Sequence, residues 1–234
     1  MKKSHILVGA ALLFLLATAI IIEKGTRPQA AEAGNISAAS AAPTLIIDAG
    51  HGGLDGGASA ADGTTESGIN LAIALKMRDI AQLFGVAPVL TRESEALDYP
   101  AECGTIRAKK VWDQKTRAAI VNSTENAVLI SVHQNTYPDP RPSGTEVLYG
   151  KAEGSEALAA LTQSNLVLQL CPENRRVAAP ISDKIYLIKS VKCPAILTEC
   201  GFLSNPAEAE MLKSDVYRTE LAVVLMMSYL QYIG

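Results

Sequence analysis

What this sequence lacks narrows it quickly. It has no excess of positive charge: 21 Lys and Arg face 24 Asp and Glu, a formal net charge of −3. A protein that coats nucleic acid with a basic surface is therefore not indicated, and no nucleic-acid partner is expected. Histidine is scarce, with three in the chain, and neither a His-x-His nor a His-Glu-x-x-His spacing occurs. The cysteines Cys103, Cys171, Cys193 and Cys200 form no Cys-x-x-Cys pair, which removes support for a zinc ribbon or a thioredoxin-type site. There is no Gly-x-Ser-x-Gly elbow and no P-loop pattern, which weakens serine hydrolase and nucleotidase readings. No internal repeat is visible.

What is present is apolar. Hydrophobic residues make up 48% of 234 positions, too many for a disordered chain and enough for one substantial core. They are concentrated first in Ile6–Ile22, a run of 17 residues preceded by Lys2 and Lys3. As a helix such a run spans about 25 Å, the low end for crossing a bilayer. The basic residues before it place residues 1–5 in the cytoplasm and send the rest outward. Residues 23–42, rich in Ala, Ser and Gly, read as a flexible tether. Ala31-Glu32-Ala33 fits a small-x-small cleavage pattern but lies far from the apolar run. The expectation is an extracytoplasmic protein anchored through 6–22, or secreted if cleaved, with its working domain in 43–234. In that compartment the cysteines are either paired or serve as small buried hydrophobes.

Within 43–234, apolar strands alternate with amphipathic helices. Strands are expected at Leu45–Ile47, Val86–Leu90, Ala127–Val132, Thr145–Tyr149, Ile185–Ile188 and Ala195–Thr198. Helices are expected over 68–84, 106–121, 155–170, 206–212 and 215–232. The fold class is α/β: one domain, a largely parallel twisted sheet flanked by helices on both faces, preceded by an N-terminal transmembrane helix.

Chemistry gathers at strand ends, where open α/β sheets place their ligand sites. His51 lies in Asp48-Ala49-Gly50-His51-Gly52-Gly53, just past the first strand. His133 lies in Ser131-Val132-His133-Gln134-Asn135, past another. Glu66 opens the helix after the glycine loop, and Glu199 follows Ala195–Thr198. Zinc at a hydrolytic site takes three such protein ligands and leaves a position for water. His51, Glu66 and His133 could supply that set, with Glu199 free to accept a proton. Two hydrogen-bonded structural histidines and a glycine turn would leave the same sequence trace.

These blocks, in this order, resemble the zinc-dependent N-acetylmuramoyl-L-alanine amidases of the Amidase_3 family, from about Thr44 to the carboxyl terminus. The stretch Asp48 to Ala58 resembles the opening zinc motif. Glu66 with Leu71, Leu90-Thr91-Arg92, Arg117, Ser131 to Asn135 and Glu199 to Asn205 resemble the blocks that follow. Ser67 and Gln134 depart from the family's commoner residues without removing a ligand. The anchored single-domain layout, Thr91-Arg92-Glu93-Ser94 and the basic insertion at Arg107–Arg117 are similar to a sporulation subgroup of that family. Its members strip peptides from muramic acid before muramic-δ-lactam forms in spore cortex.

The resemblance implies one zinc ion per chain, His51, Glu66 and His133 as its ligands, and Glu199 as the catalytic acid and base. It implies peptidoglycan as substrate, cut between the lactyl group of N-acetylmuramic acid and L-alanine of the stem peptide. Asn135, Arg92 and Arg117 are candidate substrate contacts, with loop and ion-pair roles as the alternatives. Asp48 either orients a histidine or caps a turn, and Asp55 has the same two readings, support of a ligand or shaping of the loop, with the loop role favoured. The insertion Glu93–Lys115, which holds the sole tryptophan, Trp112, is either a groove wall, a partner surface or a solvated helix with the indole packed inward. An activating protein partner, a non-catalytic wall-binding role and another zinc peptidase acting on stem peptides are the competing functions.

Overall fold

Leu45-Ile46-Ile47, buried on both sides, starts a sheet rather than a helix because the run is short and broken by Gly50. The computed structural model describes residues 42–234. The expected cytoplasmic start, the 6–22 anchor and all but the last residue of the 23–42 tether lie outside the described residues. Among the described residues no helix is long and apolar enough to cross a membrane.

Six strands form one sheet: β1 (Thr44–Ala49), β2 (Val89–Leu90), β3 (Ala127–Asn135), β4 (Glu146–Tyr149), β5 (Ala179–Pro180) and β6 (Ala195–Phe202). Their order is β2-β1-β3-β6-β4-β5. All neighbours run parallel except β4 against β6, so the sheet is mixed: β2, β1, β3 and β6 run one way and the edge pair β4 and β5 the other.

The helices are α1 (Glu66–Leu83), α2 (Ile106–Ser123), α3 (Ser155–Leu170), α4 (Tyr186–Ser190), α5 (Pro206–Lys213) and α6 (Asp215–Ile233). Strand alternation divides the core in two. Leu45, Ile47, Val128, Ile130 and Ile196 pack with α1, α3, α5 and α6, while Ile46, Leu129 and Leu197 pack with α2 and α4. Caps set several boundaries. Thr105 Oγ1 accepts from Ala108 N at 3.1 Å to open α2, and Asn205 Oδ1 accepts from Ala207 N and Glu208 N to open α5.

Two expected strands change. Ile185–Ile188 is not extended: α4 occupies it, with Lys189 N donating to Ile185 O. A short apolar run satisfies a strand and a buried helical turn equally, and packing of Leu187 and Ile188 against the α2 side decides here. The strand expected from Val86 is confined to Val89–Leu90. Val86 N instead donates to Ala81 O in the cap of α1, and Pro88 has no N–H to offer a ladder.

Candidate metal centre

The chain leaves β1 under tight control. His51 has φ of +60°, a left-handed conformation uncommon for a residue with a side chain. Such a backbone persists when its surroundings over-determine it. Arg117, from α2, is the main restraint: it donates to His51 O at 2.5 Å, Ala49 O at 2.6 Å and Asp48 Oδ1 at 2.7 Å. Two glycines are required by space. A Cβ on Gly50 would lie 2.3 Å from the His133 ring, and one on Gly57, itself at φ +68°, would lie 2.4 Å from Glu66 Oε2.

Those gaps let three donors converge from the loop after β1, from α1 and from β3. His51 Nε2 lies 3.3 Å and His133 Nδ1 2.9 Å from the same oxygen, Glu66 Oε1. One donor atom from each residue falls within 4.8 Å of the others. Zinc bonds of about 2.0–2.2 Å place tetrahedral ligand atoms roughly 3–3.5 Å apart, so two imidazole nitrogens and this oxygen suit the ion. The far side of His51 is held as well. Its Nδ1 lies 3.1 Å from Asp55 Oδ2, and Asp55 Oδ1 accepts from Lys110 Nζ at 2.8 Å. A carboxylate behind an imidazole is the usual support of a metal-binding histidine. Glu66 Oε2 is steadied by Ala58 N at 2.8 Å.

The charges favour a cation at this point. Burial pulls the His51 imidazolium down, but hydrogen bonds to Asp55 and Glu66 outweigh it and carry the group to about 9. Burial pushes Glu66 up, yet the two histidines hold it well below the usual carboxylate range.

Glu199 lies beside this cluster. It pairs in register with His133 of β3 and, across the reversed strand, with Glu146 of β4. Burial pushes its carboxyl up to about 7; His133 opposes, and Glu66 and Glu146 add to the rise. Its Oε2 is buried without a hydrogen-bond partner among the described residues. A carboxyl group poised near neutrality can both take and return a proton.

Other expected contacts are placed differently. Arg92 and Arg117 are both buried, so their guanidinium groups do not present themselves to a substrate. Arg92 donates to Ala49 O, Gly50 O and Ser67 O, and Arg117 also pairs with Asp113. Both secure strand-end backbone. Asp48 does not orient a histidine: its carboxylate accepts from Arg117, Thr91 and Ser131. Asn135 is half-buried; its Nδ2 donates to Glu146 Oε2 at 3.3 Å and its Oδ1 caps Thr136 N.

Asp55 proves to touch His51 directly, and its signal was the four-residue spacing within one loop. Lys110 and Glu146 carry no comparable signal, because each meets the site only through folding. The insertion packs inward. Trp112 stands edge-on to Tyr99 with ring centroids 5.8 Å apart. Tyr99 Oη accepts from Leu54 N at 3.2 Å, and Glu95 O accepts from Gly53 N at 2.7 Å. It thus grips the loop that bears His51. All four cysteines are unbridged thiols, and Cys200 is fully buried.

Known proteins resemble this chain over most of the described residues. The Amidase_3 family model, described as N-acetylmuramoyl-L-alanine amidase, matches residues 45–226. A germination-specific N-acetylmuramoyl-L-alanine amidase of Bacillus subtilis is 34% identical over 189 residues, covering 80% of this chain and 78% of that protein. N-acetylmuramoyl-L-alanine amidase LytC of the same organism is 29% identical over 182 residues, which are 76% of this chain but 33% of LytC. Among solved structures, the CwlD amidase from Clostridioides difficile in complex with the GerS lipoprotein aligns with a TM-score of 0.77 and 34% identity, over 81% of this chain and 98% of that one.

Proposed function

The chain belongs to the Amidase_3 family of N-acetylmuramoyl-L-alanine amidases, enzymes of peptidoglycan, and from that premise we propose which residues perform the cut and where. His51, Glu66 and His133 hold one zinc ion, and Glu199 is the catalytic acid and base. The convergence of His51 Nε2, Glu66 Oε1 and His133 Nδ1 beside Glu199 carries this reading. The bond is the amide joining the lactyl group of N-acetylmuramic acid to L-alanine of the stem peptide.

An amide resists water because its carbonyl is a weak electrophile and its amine a poor leaving group. A zinc ion in the site would polarise that carbonyl and lower the pKa of water towards about 7. The protein supplies order and proton transfer. Asp55 holds His51 by Nδ1, which leaves Nε2 facing Glu66. Glu199 takes the proton of the attacking water. As the C–N bond breaks, it returns that proton to the nitrogen of L-alanine; the water's second proton then passes from the new carboxylic acid to the amine, leaving a carboxylate on the lactyl group and an ammonium group on the peptide. The raised affinity of the buried Glu199 carboxyl for a proton suits both halves of the exchange.

A narrower role follows from the relatives. The likeness to a germination-specific amidase and to CwlD supports action in spore cortex, ahead of muramic-δ-lactam formation. The solved CwlD amidase is in complex with a lipoprotein. For this chain we propose a membrane-proximal setting, with residues 6–22 as anchor, 23–42 as tether, 43–234 as catalytic domain, and an accessory protein partner.

Digestion of purified peptidoglycan, read by mass spectrometry, tests the reaction. Free stem peptides beginning with L-alanine are expected from the zinc-loaded enzyme and not from Glu199→Ala. Loss of a single terminal amino acid would mark a stem-peptide carboxypeptidase instead. Cortex from a strain lacking the gene is expected to have lost muramic-δ-lactam; an unchanged content would overturn the cortex role.

A further inference from the structure

Asn70 lies wholly buried on α1, one turn beyond Glu66 and on the same face. Its Nδ2 donates to Gly50 O at 3.1 Å and to Glu66 Oε1 at 3.3 Å. Its Oδ1 accepts from Gln134 Nε2 at 3.0 Å, and the Gln134 main-chain N–H donates to Glu66 Oε1 at 3.1 Å. Gln134 is buried too, on the residue after His133. One amide therefore joins the residue before His51, the Glu66 carboxylate itself and the residue after His133.

From this we infer that Asn70 and Gln134 are a positioning pair, which aims Glu66 Oε1 between the two histidines and keeps the three ligand-bearing segments in register. The inference rests on the reading of His51, Glu66 and His133 as zinc ligands. Its physical basis is the limited capacity of a carboxylate oxygen. Oε1 is approached by two N–H donors from the protein side, so its remaining electron density is directed to the side where the histidine nitrogens lie. The orientation of Asn70 is dictated by chemistry: two oxygen acceptors on one end require the NH₂ group there, and the Gln134 NH₂ requires the carbonyl on the other. No solvent reaches the pair to replace a lost bond, so a broken link leaves an unsatisfied buried group. Gln134 acts at one remove, by holding Asn70. Removing it should matter less than removing Asn70, and should matter little once Asn70 is gone.

The test uses full-length enzyme and reads metal binding rather than turnover. Zinc affinity is measured by competition with a chromophoric chelator, and the ligand field by the visible spectrum of the cobalt(II)-substituted protein. Asn70→Ala is expected to weaken zinc binding by about 10- to 100-fold and to shift the cobalt bands, as loss of outer partners does at metal sites. Gln134→Met keeps volume and main-chain N–H, and is expected to weaken zinc by roughly 3- to 10-fold. The double variant should be no weaker than Asn70→Ala by more than about twofold, because coupled residues are not additive. Wild-type affinity and an unchanged cobalt spectrum in the variants would overturn the positioning role and leave the ligand assignment standing. Failure of the wild type to bind zinc, or full zinc retention in His51→Ala and His133→Ala, would instead overturn the underlying reading. Should Asn70→Ala not fold, Gln134→Met decides alone: a weakened site with shifted bands supports the inference, and unchanged values overturn it.

Discussion

Two carboxyl groups of one sheet are both pushed up by burial and yet behave in opposite ways. Asp48, at the end of β1, faces Arg117, Ser131 and Thr91. Burial raises its carboxyl, but these partners overrule burial and bring it to about 2. Glu199, midway along β6, keeps one oxygen without a partner, and burial brings it to about 7. The first is a fixed anion that ties α2 to the backbone before His51. The second is a carboxyl left free to change its protonation. Burial alone assigns neither role; the number of donors around each oxygen does.

The comparison can be broken at either end. The largest effect is expected for Glu199→Ala, which removes the proposed proton carrier without touching the proposed zinc ligands. Turnover should fall by about 10²- to 10⁴-fold while zinc content, measured by metal analysis, stays near one per chain. Near-normal turnover would remove Glu199 from the mechanism.

At the other end, Asp48→Asn leaves the buried Arg117 charge short of one partner. A loss of about 3 kcal/mol in urea denaturation is expected, the low end for breaking a buried pair because Asp113 remains. A loss within the ordinary range of surface substitutions would show that Asp113 suffices.

The pH dependence of the metal-free protein sharpens the contrast. The folded form of Glu199 binds its proton more tightly than the unfolded form, so its cost is absent below about pH 4.5 and grows as pH rises through about 7. Glu199→Gln should be more stable than wild type by about 1–3 kcal/mol at pH 8 and equal to it at pH 4. Asp48 has the reverse sign: its contribution is present above about pH 3.8 and is lost as pH falls through about 2. Thermal melts from about pH 1.5 to 8 check both; a Glu199→Gln advantage that does not grow with pH would contradict the assignment.

The smallest effect concerns Lys110. It is half-exposed where it meets Asp55, and exposed pairs contribute about 0.2–1 kcal/mol. Lys110→Met should therefore weaken zinc binding by no more than about fivefold, against about 10- to 100-fold for Asp55→Ala, which strips the support from His51 itself. Equal losses would mean that Lys110 governs where Asp55 points.

The site was legible in proportion to how local its chemistry is. His51, His133 and Glu199 each follow an apolar run that reads as a strand, and strand ends are where such sheets present side chains to ligands. Glu66 reads as the opening of a helix by its place after the glycine loop, and α1 begins there. Arg92 and Arg117 stayed open between substrate contact and ion pair for a physical reason. A guanidinium looks the same in sequence whether it waits for a carboxylate or is buried against backbone carbonyls, and the choice depends on Ala49, Gly50 and Ser67 folding around it. The Ile185–Ile188 run is equivalent, because four apolar residues carry too little periodicity to tell strand from helical turn.

Composition and pattern were enough for the alternating α/β layout and for singling out His51, Glu66 and His133, which the fold brings together. These are properties of neighbours along the chain: hydrophobic period, turn residues, and side chains a few positions past a strand. The reversal of β4, the grip of the 93–115 insertion on the His51 loop, the Lys110–Asp55–His51 chain and the Asn70–Gln134 link could not be read that way. The contacts that define them join residues about 42 to 64 positions apart in the chain. Such contacts exist only after the core has placed the elements, since burial and register bring those particular atoms within reach and no local pattern records the distance.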